Sequence, residues 1–395
     1  MNKILYYIAD LFVFWNLRKI SNGYLNLIDA RGKEYFFGEN KNLLRTKIKI
    51  NDPSFCFKIL RKGSSGLGES YMNNEFETDD LTSLIELSAR NINTTYKFSG
   101  FFEFSLLKNF FMKYIFNNTK IRSRKNISSH YDLGNNFFST WLDKTLTYSC
   151  AIFNSSTETL EQAQINKYNK LINLVKPKKG DKVLEIGCGW GGFAEHLAKN
   201  YDIKLDCITI SKEQFFFTKQ RIRQAKLNHK VNVQMLDYRD IKNKYDVIVS
   251  IEMIEAVGEK YLDKYFDIIK KNLSFGGRAA IQAIIIKDEL YNRYRMKEDF
   301  IQKYIFPGGF LPSLKSLKKL SNKSGLKIDR YHLYGSHYSS TLQKWRESFI
   351  NSWEIISKQG FNSSFKKMWD FYFSYCDAGF KSKNIDLVQF TLCNK

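Results

Sequence analysis

Four residues in the segment VLEIGCGWGGF have the spacing of a ligand-binding turn: Glu185, Gly187, Gly189 and Gly191. An apolar run ends at Glu185, the glycines follow, and GGFAEHLAKN then has a helical pattern, so a strand, a turn and a helix are predicted. Glycines at such a turn let the backbone approach a bound ligand closely. Dinucleotide sites share this spacing, so the glycines alone indicate a small-molecule cofactor without identifying it.

Two features of the surrounding sequence favour S-adenosylmethionine over a dinucleotide. The acidic side chain of Glu185 stands two positions before the first glycine, beside the place expected for the amino-acid part of this cofactor. The next predicted strand, which ends in ITISKEQ, lacks the acidic residue expected at a nucleotide ribose. Polar side chains supply candidate contacts instead: Thr209, Ser211 and Gln214 after the second strand, and Tyr238 and Arg239 in LDYRD, where an adenine would lie.

Alternating strand and helix patterns position these residues from about residue 181 onwards. The strand-like runs are DKVLEIGCG, KLDCITI, KVNVQMLD, YDVIVSIEMI, RAAIQAIII and KIDRYHLY, with IDLVQFTL at the end of the chain. KYLDKYFDIIKKNL predicts a helix closed by Gly276 and Gly277, and two helical stretches span roughly 338–380. Near-continuous apolar strands that alternate with helices predict an α/β domain whose parallel sheet is covered on both faces, with an extra antiparallel strand at the end.

The first hundred residues predict a small mixed domain. YLNLIDARGKEYFFG indicates two strands around Arg31 and Gly32, KIKINDPSFCFKIL alternates and then becomes helical, and a helix is predicted over residues 77–90. Residues 98–125 differ in composition from the preceding residues, because they combine seven phenylalanines with several basic side chains. Such a stretch suits the boundary between lipid headgroups and acyl chains, and a core helix with a solvated linker is the alternative.

Composition narrows the class of partner. A length of 395 residues predicts two domains, and a net charge of +22 predicts attraction to polyanions, either nucleic acid or an anionic bilayer. The six cysteines form no CxxC pair, which disfavours zinc ribbons and disulfide scaffolds and favours a reduced, cytosolic compartment. Asp10 interrupts the N-terminal apolar run and no stretch of about 20 apolar residues occurs, so neither a signal peptide nor a membrane span is predicted.

Five longer motifs carry a family resemblance. HYDLGNNFFSTWLDKTLTYSCAIF, VLEIGCGWGG, IEMIEAVG, QKYIFPGGFLPS and YCDAGF, in this order, resemble the cyclopropane-fatty-acyl-phospholipid synthases, a group that includes the mycolic acid cyclopropane synthases. The resemblance implies a Rossmann-like class I methyltransferase with a seven-stranded sheet. It also implies a small α+β lipid-binding domain over 1–95, an aromatic and basic linker over 96–125, and a catalytic domain over 126–395.

The resemblance further implies an activity. Members of this family transfer a methylene or methyl carbon from S-adenosylmethionine to the cis double bond of a phospholipid acyl chain, through a carbocation that a bound bicarbonate ion deprotonates. An alkene is a weak nucleophile, so the reaction needs a strong methyl donor. Aromatic side chains can stabilise the cation that forms, and the site must exclude water, which would trap it. The aromatic content of 16% agrees with such a site. The implied partners are a bilayer and a second copy of the chain, with the enzyme cytoplasmic and attached to the inner face of the membrane.

Residue roles follow from the family motifs. Tyr148 and Ser149 are expected to contact the cofactor, as is the loop around Glu185, Gly187, Cys188, Gly189 and Gly191. The bicarbonate is expected to be held by Cys150, Glu255, Tyr338 and the backbone of Ile284. The family pattern points to Glu255 rather than to its neighbour Glu252. Cys376, in SYCDAGF, matches a cysteine proposed as catalytic, although a buried apolar thiol is the favoured reading. His130 is expected to be structural or to cap the cofactor site, and His196 to be a surface or packing residue.

One position departs from the family pattern. The fifth bicarbonate partner is usually a histidine, and here it is Gln282. Glutamine can hydrogen-bond an anion but cannot carry a charge or relay a proton. Therefore a methyl-branched or methylene-bearing acyl chain stays open as the product beside a cyclopropane.

Two other functional classes are weighed against this one. The positive charge would allow a nucleic-acid methyltransferase, but the sequence lacks the D/NPPY-like signature of base-modifying enzymes. A lipid-binding protein on an inactive methyltransferase scaffold would fit Gln282, but the intact Glu185, Glu255 and Tyr338 argue against it. A lipid methyltransferase that does not act on nucleic acid is therefore the prediction.

Overall fold

The computed structural model describes residues 2–38, 44–92, 118–120, 122–123, 126 and 133–394. The chain divides into two compact units. The first, here the N-terminal unit, comprises residues 1–115, 295–305 and 353–384, and the second, the sheet unit, comprises 116–294, 306–352 and 385–395. This division differs from the contiguous domain expected over 126–395, because two later segments belong with the N-terminal residues. The aromatic and basic stretch falls almost entirely outside the described residues, and His130 does also.

A four-stranded sheet forms the centre of the N-terminal unit, in the order β2-β1-β3-β4. Its strands are β1 (Tyr24–Ile28), β2 (Glu34–Phe37), β3 (Arg45–Ile50) and β4 (Phe76–Glu77). The predicted hairpin is confirmed: β1 and β2 pair antiparallel, and the Asp29 carboxylate accepts hydrogen bonds from the backbone N–H groups of Arg31 and Lys33 in the turn. β3 runs parallel to β1, so the sheet is mixed.

Helices from distant parts of the chain complete this unit. They are Asn2–Leu17, Phe55–Lys62, Ser64–Met72, Leu81–Arg90, Phe300–Tyr304, Trp353–Ser357 and Ser363–Lys381. The helix predicted from residue 77 begins at Leu81, because Asp80 is its N-cap and accepts a hydrogen bond from Ser83 N–H at 3.0 Å. Gly68 allows close packing across the unit, since a Cβ there would lie 2.3 Å from the ring of Phe300.

The sheet unit contains the predicted seven-stranded sheet. Its strands are β5 (Lys182–Ile186), β6 (Lys204–Thr209), β7 (Val231–Met235), β8 (Tyr245–Ile251), β9 (Leu273–Ile286), β10 (Leu326–Leu333) and β11 (Ile385–Asn394), in the order β10-β11-β9-β8-β5-β6-β7. β5 to β9 are mutually parallel, and β11 pairs antiparallel with both β9 and β10, as the sequence predicted for the last strand. β9 begins before Gly276 and Gly277, so those glycines lie within the strand and do not close the preceding helix.

Helices cover both faces of this sheet. Those of the sheet unit are Asn135–Trp141, Leu160–Val175, Gly192–Asn200, Lys212–Gln224, Leu262–Asn272, Asp288–Tyr294, Leu314–Lys323 and Gly335–Asn351. Neighbouring residues of β5 point to opposite faces: Val183 packs in one apolar cluster with Leu171, and Leu184 packs in a second cluster with Phe266. All four side chains are buried, so the strand has no solvent-facing side.

This topology brings the loops after the parallel strands to one edge of the sheet. In open α/β sheets ligands bind outside the carboxyl ends of the strands. The glycine turn follows β5, Ser211 follows β6, and Glu252 follows β8. In the described part of the chain, no helix is long and apolar enough to cross a membrane.

Candidate active site

The glycine loop has the geometry of a cofactor cradle. Gly187, Gly189 and Gly191 have φ values of 82°, 53° and 80°, a region that L-residues other than glycine rarely adopt. A Cβ on Gly191 would lie 2.6 Å from the Thr218 methyl carbon, so glycine is required there for packing. A Cβ on Gly189 would meet no atom within 4 Å, so this glycine faces open space and leaves the backbone accessible to a ligand.

Glu185 supplies an acidic group directly before this loop. Its side chain is buried, and burial raises the pKa of its carboxyl to about 7. Its hydrogen-bond donor among the described residues is the thiol of Cys207, 3.6 Å from Oε2. A buried carboxyl that has only a thiol as donor fits an incoming ammonium group. The thiol of Cys188 is buried in an apolar cluster, which raises its pKa well above the usual value, and contact of this loop residue with the cofactor stays a prediction.

The predicted ribose contacts lie together after β6. Thr209 Oγ1 donates to Gln214 Oε1 at 2.9 Å, and Ser211 Oγ accepts from Gln214 N–H as the N-cap of the helix Lys212–Gln224. All three side chains are buried. The structure therefore brings these residues into one hydrogen-bonded cluster at the ligand edge of the sheet, and their contact with a ribose stays a prediction.

The segment predicted to meet the adenine is held by a buried ion pair. The Arg239 guanidinium donates to both carboxylate oxygens of Asp237, at 2.8 and 2.7 Å, and to the backbone carbonyl of Asn118 at 2.9 Å. Burial alone would raise the pKa of Asp237, but its hydrogen bonds with Arg239 keep it below the usual value. Arg239 thus fixes the backbone of this segment, and the ring of Tyr238 packs 5.7 Å from that of Tyr265.

Ser149 has a charged partner that the sequence analysis missed. Its Oγ accepts a hydrogen bond from Lys167 Nζ at 2.7 Å, and its carbonyl accepts from Gln164 Nε2 at 2.8 Å. Lys167 is fully buried, and burial lowers the pKa of its ammonium to about 8. Its position on the buried face of the helix Leu160–Val175, beside Tyr168, is the signal that could have revealed it.

An aromatic cluster surrounds the other cofactor candidate of this segment. The ring of Tyr148 lies within about 6 Å of four aromatic rings, those of Trp345, Trp141, Phe138 and Phe306. Tyr338 joins the cluster through Trp345, with ring centroids 6.2 Å apart. Aromatic faces carry negative potential, so such a cluster can stabilise a positive charge.

The residues expected to bind an anion converge on Glu252. Its carboxylate accepts from Tyr338 Oη at 2.6 Å, from Gln282 Nε2 at 2.7 Å and from Cys150 N–H at 2.9 Å. Cys150 contributes its backbone, since its buried thiol lies 3.1 Å from the Ala151 carbonyl oxygen and has its pKa raised well above the usual value. The structure therefore brings Cys150, Gln282 and Tyr338 together around Glu252, whereas the family motif points to Glu255.

Glu255 has different surroundings. Its Oε1 accepts from the Ile284 N–H at 2.5 Å, and its Oε2 is buried with no hydrogen-bond partner among the described residues. Burial and the nearby charge of Glu252 raise the pKa of Glu255 to about 8. Three donors reach Glu252 and one reaches Glu255, so the geometry favours the negative charge on Glu252 and the proton on Glu255.

The remaining candidates lie elsewhere. Cys376 belongs to the helix Ser363–Lys381 of the N-terminal unit, and burial raises the pKa of its thiol, which favours the reading as a packing residue over a nucleophile. His196 forms a hydrogen bond with Asn169 at 2.8 Å near the surface, as expected of a surface or packing histidine.

The fold and the glycine cradle define an S-adenosylmethionine-dependent methyltransferase of class I. The family model for mycolic acid cyclopropane synthetase matches residues 118–390, and the chain belongs to this family. It is 35% identical over 343 residues to the tuberculostearic acid methyltransferase UfaA1 of Mycobacterium tuberculosis, covering 85% of this chain and 80% of that protein. It is 33% identical over 351 residues to the cyclopropane-fatty-acyl-phospholipid synthase of Escherichia coli K12, covering 87% and 86%.

Solved structures agree with this assignment. The mycolic acid cyclopropane synthase CmaA1, complexed with SAH and CTAB, superposes with a TM-score of 0.65 at 27% identity, covering 69% of this chain and 98% of that one. The cyclopropane synthase MmaA2 of Mycobacterium tuberculosis gives a TM-score of 0.64, also at 27% identity, covering 68% and 97%. The chain is therefore an enzyme with S-adenosylmethionine as its cofactor.

Gly189→Ala tests whether the cofactor lies over the cradle. Alanine can adopt the backbone of Gly189 at a cost of about 1–2 kcal/mol, and its methyl group would project into the space that faces the ligand. We expect S-adenosylmethionine to bind at least about tenfold more weakly in isothermal titration calorimetry. Gly180→Ala is the matched control, because Gly180 also has positive φ (84°) and no neighbour within 4 Å, but precedes β5. Equal cofactor affinity of the two variants would show that S-adenosylmethionine does not bind at this loop.

Glu185 predicts a pH dependence of cofactor binding. An ionised carboxylate attracts the cofactor ammonium, and with a pKa of about 7 the ionised fraction falls as the pH drops through 7. The affinity measured by calorimetry should therefore fall about fivefold from pH 7 to pH 6. Glu185→Gln should bind more weakly and show no such dependence. A flat profile for the unaltered protein would contradict this role.

Proposed function

We propose that the enzyme transfers a methyl carbon from S-adenosylmethionine to the cis double bond of a phospholipid acyl chain, and that the product is a cyclopropane. The observation that supports this most directly is a partly buried carboxylate with three hydrogen-bond donors, Glu252, whose partner Tyr338 belongs to the aromatic cluster. A base beside aromatic faces suits a reaction in which a cation forms and then loses a proton.

The residues of this site would have three tasks. When bound, the cofactor supplies a methyl group that is electrophilic enough to react with an alkene. The aromatic cluster around Tyr148 and Trp345 would stabilise the resulting positive charge on carbon and exclude water, which would otherwise trap it. A carboxylate would then take a proton from the new methyl group, and the freed electron pair would close the three-membered ring.

A methyl-branched or methylene-bearing acyl chain is the second candidate product. Two observations favour it: Gln282 stands where the family pattern has a histidine, and one relative is named as a methyltransferase and not as a cyclopropane synthase. A hydride shift from the methyl-bearing carbon to the adjacent cationic carbon, followed by loss of a proton from the methyl group, would give a methylene group with the same mass as the cyclopropane. The two products must therefore be distinguished by chemistry and not by mass alone.

Access to a bilayer has support in the N-terminal helix Asn2–Leu17. Ile4, Ile8, Leu11 and Trp15 follow each other at spacings of four, three and four residues, so they form one stripe, and each is about half exposed or more. The Lys19 ammonium lies 3.5 Å from the centroid of the Trp15 ring, at one end of the stripe. An apolar stripe on a chain of net charge +22 suits the surface of an anionic bilayer.

This helix supports the predicted lipid-binding role of residues 1–95 and a peripheral association with the inner face of the membrane. The named substrate of the Escherichia coli relative, a phospholipid acyl chain, agrees with it. A homodimer in the cytoplasm stays a prediction from the family resemblance.

Mass spectrometry of fatty acids tests the reaction. The gene would be expressed in a bacterial host that lacks its own cyclopropane synthase, with the empty vector as the control. We expect unsaturated acyl chains to gain the mass of one methylene group and to keep it unchanged through mild hydrogenation, because a cyclopropane is not an alkene. A product that hydrogenation converts to a saturated methyl branch would establish the second candidate. No gain on any lipid would contradict both.

Leu11→Glu tests the bilayer stripe. Burying a leucine side chain in the interface contributes about 1.5–3 kcal/mol, so an added charge there should lower sedimentation with anionic phospholipid vesicles at least about tenfold. Ile355→Glu is the matched control, since Ile355 is exposed to 59% against 53% for Leu11 and lies on another helix of the same unit. Both variants should bind S-adenosylmethionine normally. Equal vesicle binding would show that the stripe does not face the bilayer.

A further inference from the structure

The bicarbonate implied by the family does not fit this site as the structure has it. Three of the groups expected to hold that ion, Cys150 N–H, Gln282 Nε2 and Tyr338 Oη, each donate to the Glu252 carboxylate at 2.6–2.9 Å. A carboxylate and a bicarbonate ion present the same planar pair of anionic oxygens to hydrogen-bond donors. The chain's own side chain thus occupies the donors that would otherwise bind a free anion.

The backbone at Glu252 indicates that this arrangement has a use. Its φ is +49°, in the left-handed region where a residue with a side chain costs about 1 kcal/mol or more. A glycine would adopt this turn after β8 without that cost, and yet a glutamate stands there. Its backbone N–H donates to the Gln282 carbonyl at 2.8 Å, which fixes the turn and aims the carboxylate back along β9. A strained residue held by its surroundings is typical of functional positions.

Gln282 matches this carboxylate better than a histidine would. Gln389 on β11 is the direct neighbour of Gln282 on β9, and its Nε2 donates to Gln282 Oε1 at 2.8 Å. This bond orients the amide so that Gln282 Nε2 points to Glu252. A neutral amide donor orients the carboxylate without transferring a proton to it. The departure from the family histidine is therefore the change that a built-in carboxylate requires.

Three hydrogen bonds and one nearby positive charge favour the ionised form of Glu252. Burial raises the pKa of Glu252, while its three hydrogen bonds and the charge of the buried Lys167 act in the opposite direction. Glu255 holds its proton, since its pKa is raised to about 8 and its carboxyl has one N–H donor, that of Ile284. The thiol of Cys150 is neutral because burial raises its pKa well above the usual value. The positive charge of Lys167 acts on both Glu252 and Glu185.

We propose that the Glu252 carboxylate is the base of this enzyme and replaces bicarbonate. This rests on the proposed function. In the step that it performs, a C–H bond of the newly added methyl group breaks and its electron pair forms the third carbon–carbon bond of the ring at the carbocation. The proton passes to a Glu252 oxygen and leaves to water after the product departs. Gln282, Tyr338 and the Cys150 backbone are positioning groups, and Gln389 positions Gln282.

Bicarbonate dependence tests this proposal. Transfer of radiolabelled methyl groups from S-adenosylmethionine to dioleoylphosphatidylglycerol vesicles would be measured in carbon-dioxide-free buffer, with and without added sodium bicarbonate. The unaltered enzyme should work equally well in both. Loss of its activity in the carbon-dioxide-free buffer, with recovery on adding bicarbonate, would overturn the proposal.

Two substitutions of one residue sharpen the test. Glu252→Gly should lower the rate by roughly 10²–10⁴ without bicarbonate, and added bicarbonate should restore at least about tenfold, because the freed donors can hold the ion. Glu252→Gln should lose as much activity, and added bicarbonate should not restore it, because the glutamine amide fills the space that the ion would need. Glycine also relieves the positive φ, so this variant should fold normally, and calorimetry with S-adenosylmethionine checks that both variants are intact.

Glu255→Gln separates the two carboxyl groups. If Glu252 is the base, this substitution of an already protonated acid should lower the rate less than about tenfold, within the range for losing one neutral hydrogen-bonding group. If Glu255 instead holds a bicarbonate base, Glu255→Gln should lose more activity than Glu252→Gln, and the activity should depend on bicarbonate. That result would contradict the proposal. An unaltered enzyme that binds S-adenosylmethionine but methylates no lipid in either buffer would refute the proposed function itself, and this proposal with it.

Discussion

The convergence of three hydrogen-bond donors on one carboxylate, that of Glu252, constrains the arrangement of the sheet unit. An unpaired carboxylate in a protein interior costs several kcal/mol, so Glu252 can be ionised there only because donors reach it from three separate parts of the chain. Cys150 comes from the segment before the sheet, Gln282 from β9, and Tyr338 from the helix Gly335–Asn351. These segments must therefore meet at the carboxyl edge of β8, and the sheet order β11-β9-β8-β5 places them there.

The same edge separates two kinds of chemistry. On the side of β5 and β6, the cradle and the Thr209 cluster are polar and contain glycines that leave room for a ligand. On the side of β9, the aromatic cluster lies beside Glu252, the arrangement that the proposed reaction through a cation would use. The buried Lys167 donates to Ser149 Oγ, and its positive charge favours the ionised form of Glu252. The two sides share β8 and are therefore held in fixed register.

The sequence was sufficient for the sheet and the cradle but not for the carboxylate. Strand positions, the antiparallel β11 and the glycine turn depend on local periodicity and on residues close in sequence, so they could be predicted. Glu252 and Glu255 lie three residues apart after the same strand, and the positive φ that aims Glu252 toward Gln282 leaves no trace in residue type. The hydrogen bond from Cys150 to Glu252 could not be predicted from residue type either, because its donor is a backbone N–H group. The segments 295–305 and 353–384 join the N-terminal unit through contacts between residues far apart in the chain, which periodicity does not report.

The position of β11 determines when the enzyme becomes complete during synthesis. The last segment of the N-terminal unit ends at residue 384, and the strand that carries Gln389 follows it immediately. The seven-stranded sheet cannot close until residues 385–394 have left the ribosome, because β11 lies between β9 and β10 and joins them. A nascent or prematurely terminated chain would therefore have an unfixed Gln282 amide and an incomplete sheet. The order of translation thus leaves the surroundings of Glu252 incomplete until β11 has been synthesised and inserted.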